Sequence, residues 1–248
     1  MERCRVKQFV CNQELKPGQT ITLMDDEFHY LCRVRRSEKG DILELTDSAS
    51  ARFRARMLEI RNDECDILVE EELTAYTRQY ELHLYLCLCK GKKQDSMIRQ
   101  AVEAGVNSIT LVDSQHSQVR FSGSEAHKYE RWRKIIREAR QQSGSPVNTE
   151  LNDLISFTEL PDLDSSSGRW GIFCHQEKID GNPLSQMNSS SVNEVHLLIG
   201  SEGGLSNKEI EIMQKKGFSS LFLGYNVLRA ETASIFALGT IISCMELI

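Results

Sequence analysis

From Leu82 to the C-terminus, apolar strand-like runs alternate with runs of helical period. That alternation fits a parallel sheet covered by helices on both faces. Leu82-His83-Leu84-Tyr85-Leu86-Cys87-Leu88-Cys89 is nearly continuous in apolar character, as a strand buried on both faces must be. Its period puts Cys87 and Cys89 on one face. A helix follows, with Asp95 placed to cap it, Met97, Ile98, Ala101 and Val102 on one side, and Gly105 at its end. Next come a strand over Ser108–Val112 and a helix from about Glu125 to Gln142, which buries Trp132, Ile135, Ile136 and Ala139 and stops at Gly144. Strands over Trp170–Cys174 and Val195–Ile199, a helix over Ser206–Lys216, a strand over Leu221–Leu223 and a final helix from about Glu231 complete the pattern. Residues 161–168 and 180–193 are rich in Ser, Asp and Asn and read as surface loops.

Residues 1–74 read differently. Short β-like runs recur at Arg5–Val10, Thr20–Leu23, Asp41–Leu45, Arg52–Ile60 and Cys65–Glu70, separated by turn signals such as Lys16-Pro17-Gly18-Gln19. That spacing predicts a small all-β barrel. Phe28–Val34 reads as a short helix between strands. Arg33, Arg35 and Arg36 form the densest basic cluster of the region.

Bulk properties exclude several classes. The net charge of −6 argues against a chain coated in basic charge for nucleic acid, although a local basic patch survives such a total. The polar start Met1-Glu2-Arg3-Cys4-Arg5 does not read as a secretion signal, and no run of apolar residues is long enough to span a bilayer. The nearest, Ile235–Leu247, reads as a buried helix. A cytoplasmic location and no membrane partner are therefore expected. The eight cysteines include no Cys-x-x-Cys pair and read as reduced thiols. The six histidines show no close pair and no metal spacing, so no metal is expected.

Two segments carry the chemistry. Leu197-Leu198-Ile199-Gly200-Ser201-Glu202-Gly203-Gly204-Leu205-Ser206 is a strand-like run that ends in glycine and enters a helix. Leu221-Phe222-Leu223-Gly224, leading to Arg229-Ala230-Glu231-Thr232-Ala233, repeats that plan. Ligands of α/β proteins bind where strands end at such loops, and glycines let a ligand approach bare amides. Ser206-Asn207-Lys208-Glu209 is a capping box that fixes a helix start. The dinucleotide spacing Gly-x-Gly-x-x-Gly is missing, and no Gly-Lys-Ser/Thr follows for a phosphate loop. Plain strand-to-helix turns would look similar. Arg229 and Glu231 are charges set between apolar neighbours and should have partners. They read either as a structural pair or as a site arginine held by a site glutamate. Lys90-Gly91-Lys92-Lys93 sits where the first strand ends, so its lysines can grip phosphates or simply face water. Arg131, Arg133, Lys134, Arg137 and Arg140 mark one helix, or merely its wet face.

On these residues the chain resembles the RsmE family, the 16S ribosomal RNA uridine-N3 methyltransferases of the SPOUT superfamily. Gly200-Ser201-Glu202-Gly203-Gly204 stands for the family's Gly-Pro-Glu-Gly-Gly. Leu223-Gly224-Tyr225-Asn226-Val227-Leu228-Arg229-Ala230-Glu231-Thr232-Ala233 stands for its second motif. His29-Tyr30-Leu31 with Val34-Arg35, Lys90-Gly91, Glu103 with Gly105-Val106, and Gln142-Ser143-Gly144 also match, so the likeness covers nearly the whole chain. It implies a PUA-like RNA-binding β-barrel over 1–74 and a SPOUT α/β methyltransferase domain over 75–248. A deep trefoil knot is implied at about 195–240. The implied cofactor is S-adenosylmethionine, held by Leu198, Ile199, Gly200, Ser201, Gly203, Gly204, Leu223, Gly224, Val227, Leu228, Thr232 and Ala233. Implied catalytic residues are Arg229 and Glu231. Arg33, Arg35, Arg36, Lys90, Lys92 and Lys93 would contact RNA. The implied partners are 16S ribosomal RNA or the small ribosomal subunit, and a second copy of the chain as a homodimer.

Four basic positions of the family pattern are replaced here, by Gln100, His116, Ser145 and Asn226. Fewer phosphate contacts weaken RNA affinity and its salt dependence. Two other readings stay open at this point: a non-catalytic RNA-binding or ribosome assembly factor on the same fold, and a 2′-O-ribose methyltransferase. The latter's Ser-Leu-Asn-Val-Ser type motif is replaced here by residues 229–233.

Overall fold

The computed structural model describes residues 7–74, 78–121, 125–179, 181–187 and 189–246. Arg5 and Val6 of the first expected strand, the boundary residues 75–77, and Asp180 and Asn188 of the second expected loop lie outside them. The chain divides into two compact units, residues 1–77 with 140–148, and residues 78–139 with 149–248.

In the first unit, β1 (Lys7–Val10), β2 (Thr20–Met24), β3 (Ile42–Thr46), β4 (Arg52–Ile60) and β5 (Glu64–Leu73) form one sheet in the order β1-β3-β4-β5-β2. All its pairings are antiparallel except β1 with β3. Among the described residues β1 and β2 do not pair, so the ladder stays open where a barrel was expected. Alternation decides which side is core: Phe53, Ala55 and Met57 of β4 and Cys65, Ile67 and Val69 of β5 are buried. Arg54 and Arg56 point the other way and pair with Glu70. The expected helix near Phe28 is split into α1 (Asp25–Phe28) and a π-helical stretch, His29–Val34.

Residues 140–148 join this unit through polar contacts. The buried Arg140 donates to Ser50 Oγ, Asn148 Oδ1 and the Ser145 carbonyl at 3.1, 3.1 and 3.3 Å. The Val10 amide donates to Gln141 Oε1 at 2.8 Å.

The second unit holds β6 (Glu81–Cys87), α2 (Lys92–Glu103), β7 (Ser108–Val112), α3 (Ala126–Ser143, whose last turn falls in the first unit), β8 (Glu150–Ile155), β9 (Arg169–His175), β10 (Glu194–Ile199), α4 (Asn207–Lys215), β11 (Phe218–Phe222) and α5 (Ala230–Glu246). Its six strands are all parallel, in the order β11-β9-β10-β6-β7-β8. Alternation sorts the apolar residues of β6 and β10 into two cores. Leu82, Leu84 and Leu86 join Val195, Leu197 and Ile199 on one face, whereas Tyr85, Cys87 and Leu198 pack on the other. β6 ends at Cys87, so Cys89 leaves the strand and packs in the opposite core from Cys87; the shared face expected for them is not kept.

The capping box at α4 is present. Ser206 Oγ accepts from the Glu209 amide at 3.3 Å, and the Glu209 carboxylate accepts from the Ser206 amide at 2.6 Å. Ser206→Ala should cost about 1 kcal/mol of stability, read as a shift of the urea midpoint at unchanged slope. Asp95 does not cap α2, which starts earlier behind Gly91. Its carboxylate pairs with Arg131 and accepts from Trp132 Nε1 at 3.1 Å.

Two further expectations change. His83 and His196 are register partners on β6 and β10, and their rings stack 4.7 Å apart, so the histidines do form a close pair. Burial pushes the His196 imidazole down to about 4, against the pull of Glu194. The run 235–247, expected as a buried helix and with its last residue outside the described ones, falls in α5, which buries Ser234, Ala237, Leu238, Ile241 and Met245 but leaves Ile235 and Phe236 exposed. No helix among the described residues is long and apolar enough to cross a membrane.

Candidate functional site

The strand order reverses direction between β6 and β10: from β6 the chain moves outward through β7 and β8, and β10 lies on β6's other side. In open parallel sheets, the crevice beyond the C-terminal strand ends at such a point is where ligands sit. A cavity of about 640 Å³ opens there. Its walls are the loop that follows β10 (Ile199–Leu205), the segment after β11 (Leu223, Gly224 and Asn226–Ala230), the end of β9 with Gln176, and Lys93 and Ala233.

Glycine shapes both loops. Gly204 has φ +72° and Gly224 φ +125°, conformations that carry a penalty for any side chain, and no atom lies within 4 Å of where their Cβ atoms would be. The Ser201 carbonyl accepts from the Gly204 amide at 2.9 Å, which folds the first loop into a tight turn. Gly203 is demanded by packing instead: a Cβ there would sit 2.8 Å from His116 Cβ. His116 Nδ1 also lies 3.1 Å from the Gly203 carbonyl oxygen.

Charge on the wall comes from Lys93, Glu202 and Arg229. Lys93 Nζ donates to Glu202 Oε1 at 2.9 Å, and the Lys90 amide donates to the same oxygen at 3.3 Å. Burial works against the Glu202 charge, but the Lys93 ammonium and nearby amides outweigh it and hold the carboxyl below its ordinary value. The same hydrogen bond holds the Lys93 ammonium above its own. The second oxygens of Glu202 and Glu231 are buried, with no hydrogen-bond partner among the described residues. Cys89 beside them is pushed up to about 12, first by burial and then by Glu202, so it is a protonated thiol rather than a nucleophile.

Of the residues expected to hold a cofactor, Ile199, Gly200, Ser201, Gly203, Gly204, Leu223, Gly224, Val227, Leu228 and Ala233 line this cavity. Leu198 does not: it is one step out of phase with Ile199 and faces the core on the other side of the sheet. Thr232 opens instead on a shallow groove along α5. Arg229 is on the cavity wall and exposed, while Glu231 is half-buried and not on the wall. No ion pair joins them among the described residues; the Glu231 charge is felt by Lys93 and Cys89 instead. Sequence reading missed Leu205, Ala230 and the segment Cys174-His175-Gln176 as wall residues. The last comes from the neighbouring strand end and has no motif to announce it.

The expected RNA contacts fall in both units. Arg33 is exposed, donates to the Asn62 carbonyl at 3.1 Å and lies over the Phe28 ring. Arg35 lies over the Tyr30 ring, and Arg36 is exposed with φ +53°. Lys90 and Lys92 are exposed at the rim of the parallel sheet, while Lys93 is committed to Glu202.

The RNA methyltransferase domain family matches residues 77–242, and the RNA methyltransferase PUA domain family matches residues 23–70. The chain belongs to the RNA methyltransferase family. Ribosomal RNA small subunit methyltransferase E 2 of Borreliella burgdorferi is 27% identical over 97% of this chain and 98% of its own length. Ribosomal RNA small subunit methyltransferase E of Bacillus subtilis is 28% identical over 95% and 94%. Among solved structures, a methyltransferase of Legionella pneumophila in complex with bound S-adenosylmethionine superposes with a TM-score of 0.81 at 25% identity, over 96% of this chain and 98% of that one. The ribosomal RNA small subunit methyltransferase E of Neisseria gonorrhoeae, bound to S-adenosylmethionine, has the same fold, with a TM-score of 0.82 at 22% identity over 96% and 98%. These relatives are what the motifs at 200–204 and 223–233 predict.

Proposed function

We propose that this chain is an S-adenosylmethionine-dependent methyltransferase acting on N3 of a uridine in 16S ribosomal RNA, alone or in the small ribosomal subunit. One observation carries the reading: the two family motifs, far apart as loops, close on one cavity at the strand ends. The cavity suits this cofactor. Its volume is that of a ligand pocket for a molecule of such size. Gly204 and Gly224 leave open space where side chains would stand, so a ligand can approach the main chain, and an unpartnered Glu202 oxygen complements a cationic ligand. When bound, S-adenosylmethionine supplies an electrophilic methyl group. The main chain at 199–205 and 223–228 would hold and orient it, and positioning is the larger part of such a displacement.

The uridine must lose its N3 proton, which leaves negative charge on the ring oxygens. Arg229, exposed on the cavity wall, is proposed to stabilise that charge. Glu231, with a buried oxygen lacking a partner, is proposed as the proton acceptor rather than as a clamp on Arg229. Arg33, Arg35, Arg36, Lys90 and Lys92 are proposed to contact RNA phosphates; Lys93 serves the pocket through Glu202. A course through the parallel sheet as a deep trefoil knot at about 195–240 is supported by α5 returning to pack against α2 and β10 after β11 has formed the far edge. A homodimer is supported by the apolar face of α5, and a cytoplasmic location by the ribosomal substrate.

The deciding experiment incubates the protein with small ribosomal subunits and labelled S-adenosylmethionine, then identifies nucleosides by mass spectrometry. The expected product is 3-methyluridine. A ribose-methylated nucleoside would point to 2′-O chemistry, and no product with intact cofactor binding would point to an assembly factor. Gly224→Ala should weaken cofactor binding at least about tenfold in calorimetry, because φ +125° costs a side chain roughly 1–3 kcal/mol and the loop must move to relieve it.

A further inference from the structure

Two Glu-x-His tripeptides stand side by side where the parallel strands begin. On β6 the tripeptide is Glu81-Leu82-His83, and on β10 it is Glu194-Val195-His196. The strands run in register, Glu81 opposite Glu194 and His83 opposite His196. Alternation by two then puts all four side chains on one face. Nε2 of His196 is 3.0 Å from Oε2 of Glu194, and Nε2 of His83 is 3.2 Å from Oε2 of Glu81. Donor atoms of His83, Glu194 and His196 lie within 4.8 Å of one another.

The remaining ring nitrogens are held from behind. His83 Nδ1 lies 2.8 Å from Ser108 Oγ, and His196 Nδ1 lies 3.1 Å from the Tyr85 hydroxyl. Metal-binding histidines need this division of labour, in which an outer group fixes one nitrogen and the other offers its lone pair. Arg169 Nε, 3.0 Å from Glu194 Oε2, steadies that carboxylate. Two carboxylates against one guanidinium leave a local negative charge for a dication to meet. Glu81 is well exposed and His83 partly so, which gives an ion a way in from solvent.

We propose that His83, His196 and Glu194, with Glu81 as fourth donor, bind one divalent transition-metal ion and thereby tie β6 to β10. Mixed imidazole and carboxylate donors, four in number, suit Zn²⁺. The site is separate from the cofactor cavity. His196 lies four residues before Gly200, about 13 Å along a strand. Its role would be structural, because an ion that binds only the folded chain stabilises it.

The test uses the full chain after chelation and dialysis. Zn²⁺ is titrated by calorimetry and Co²⁺ by visible absorption. The expected result is one ion per chain, cobalt bands of four-coordinate intensity without a thiolate charge-transfer band, and a melting midpoint raised by roughly 5 °C at a hundredfold excess over the dissociation constant. His83→Gln should abolish that binding. If His83→Gln does not fold, Ser108→Ala is used instead, with an expected loss of about tenfold in affinity. Absence of stoichiometric binding overturns the proposal. So does a thiolate band, which would place the ion on cysteines, or unchanged affinity in both variants.

Discussion

An Arg229→Ala variant is expected to transfer methyl groups about 10²–10³ times more slowly than the wild type, the range found when one preorganised donor to a developing anion is removed. Its dissociation constant for S-adenosylmethionine should stay within about twofold, since a term made only in the transition state lowers kcat and leaves ground-state binding alone. The geometry is the reason for both halves. Arg229 is exposed on the cavity wall, and no hydrogen bond or ion pair engages its side chain among the described residues. Its removal therefore breaks no hydrogen bond or ion pair among the described residues. Arg229→Lys should recover part of the rate, because a point charge survives where the planar fork does not. Glu231→Gln separates the two roles. If Glu231 accepts the N3 proton, that variant becomes slow at neutral pH and recovers as the medium becomes more alkaline, whereas Arg229→Ala stays slow throughout. Single-turnover assays across pH, with calorimetry on the same samples, measure all of this. Unchanged turnover in Arg229→Ala would remove the arginine from the mechanism.

Much of this was legible in the sequence, and what was not has physical causes. Alternation and glycine stops predicted most helices and strands of the second unit. They missed β8, because Glu150-Leu151-Asn152-Asp153-Leu154-Ile155 is an edge strand with too few apolar positions to show a period. Motifs found both lips of the cavity, yet three assignments inside them ignored geometry the sequence already implied. Leu198 and Ile199 are consecutive in a strand, so only one of them can face the cavity side. Thr232 and Ala233 diverge by a helical step. Arg229 and Glu231 are two apart at a helix start, a spacing at which side chains do not face each other. The wall segment 174–176 and the paired Glu-x-His tripeptides lay beyond sequence reasoning for another reason. Each depends on which strands become neighbours, and His83 and His196 are made partners only by the register of β6 against β10. A search for metal spacing along the chain cannot see donors that meet across a sheet.

If the proposed homodimer forms through α5, Phe236→Asp is expected to convert it to a monomer and to lower methylation. Seven large hydrophobic side chains are exposed among the described residues, and four of them, Tyr225, Val227, Ile235 and Phe236, fall within twelve consecutive positions. Phe236 and Ile235 flank a groove that continues past Gly239 and Thr240 to Cys244 on α5, opposite the face that packs into the core. A contiguous apolar face of this kind marks an interface, and a two-fold axis would use the same helix from both copies. The substitution would then enter the interface twice, once from each copy, and without a partner of opposite charge. An uncompensated buried charge costs several kcal/mol. The dimer should thus weaken by about a thousandfold or more, at 1.4 kcal/mol per tenfold. Activity is expected to fall with it, because α5 begins at Ala230, on the cavity wall, and Thr232 already belongs to the groove. The cavity wall and the groove proposed for a partner are therefore one turn of helix apart. Sedimentation velocity reads the first effect and the subunit methylation assay the second. A monomeric variant that still methylates at the wild-type rate would show that each cavity is complete within its own chain. A variant that remains dimeric would move the interface elsewhere.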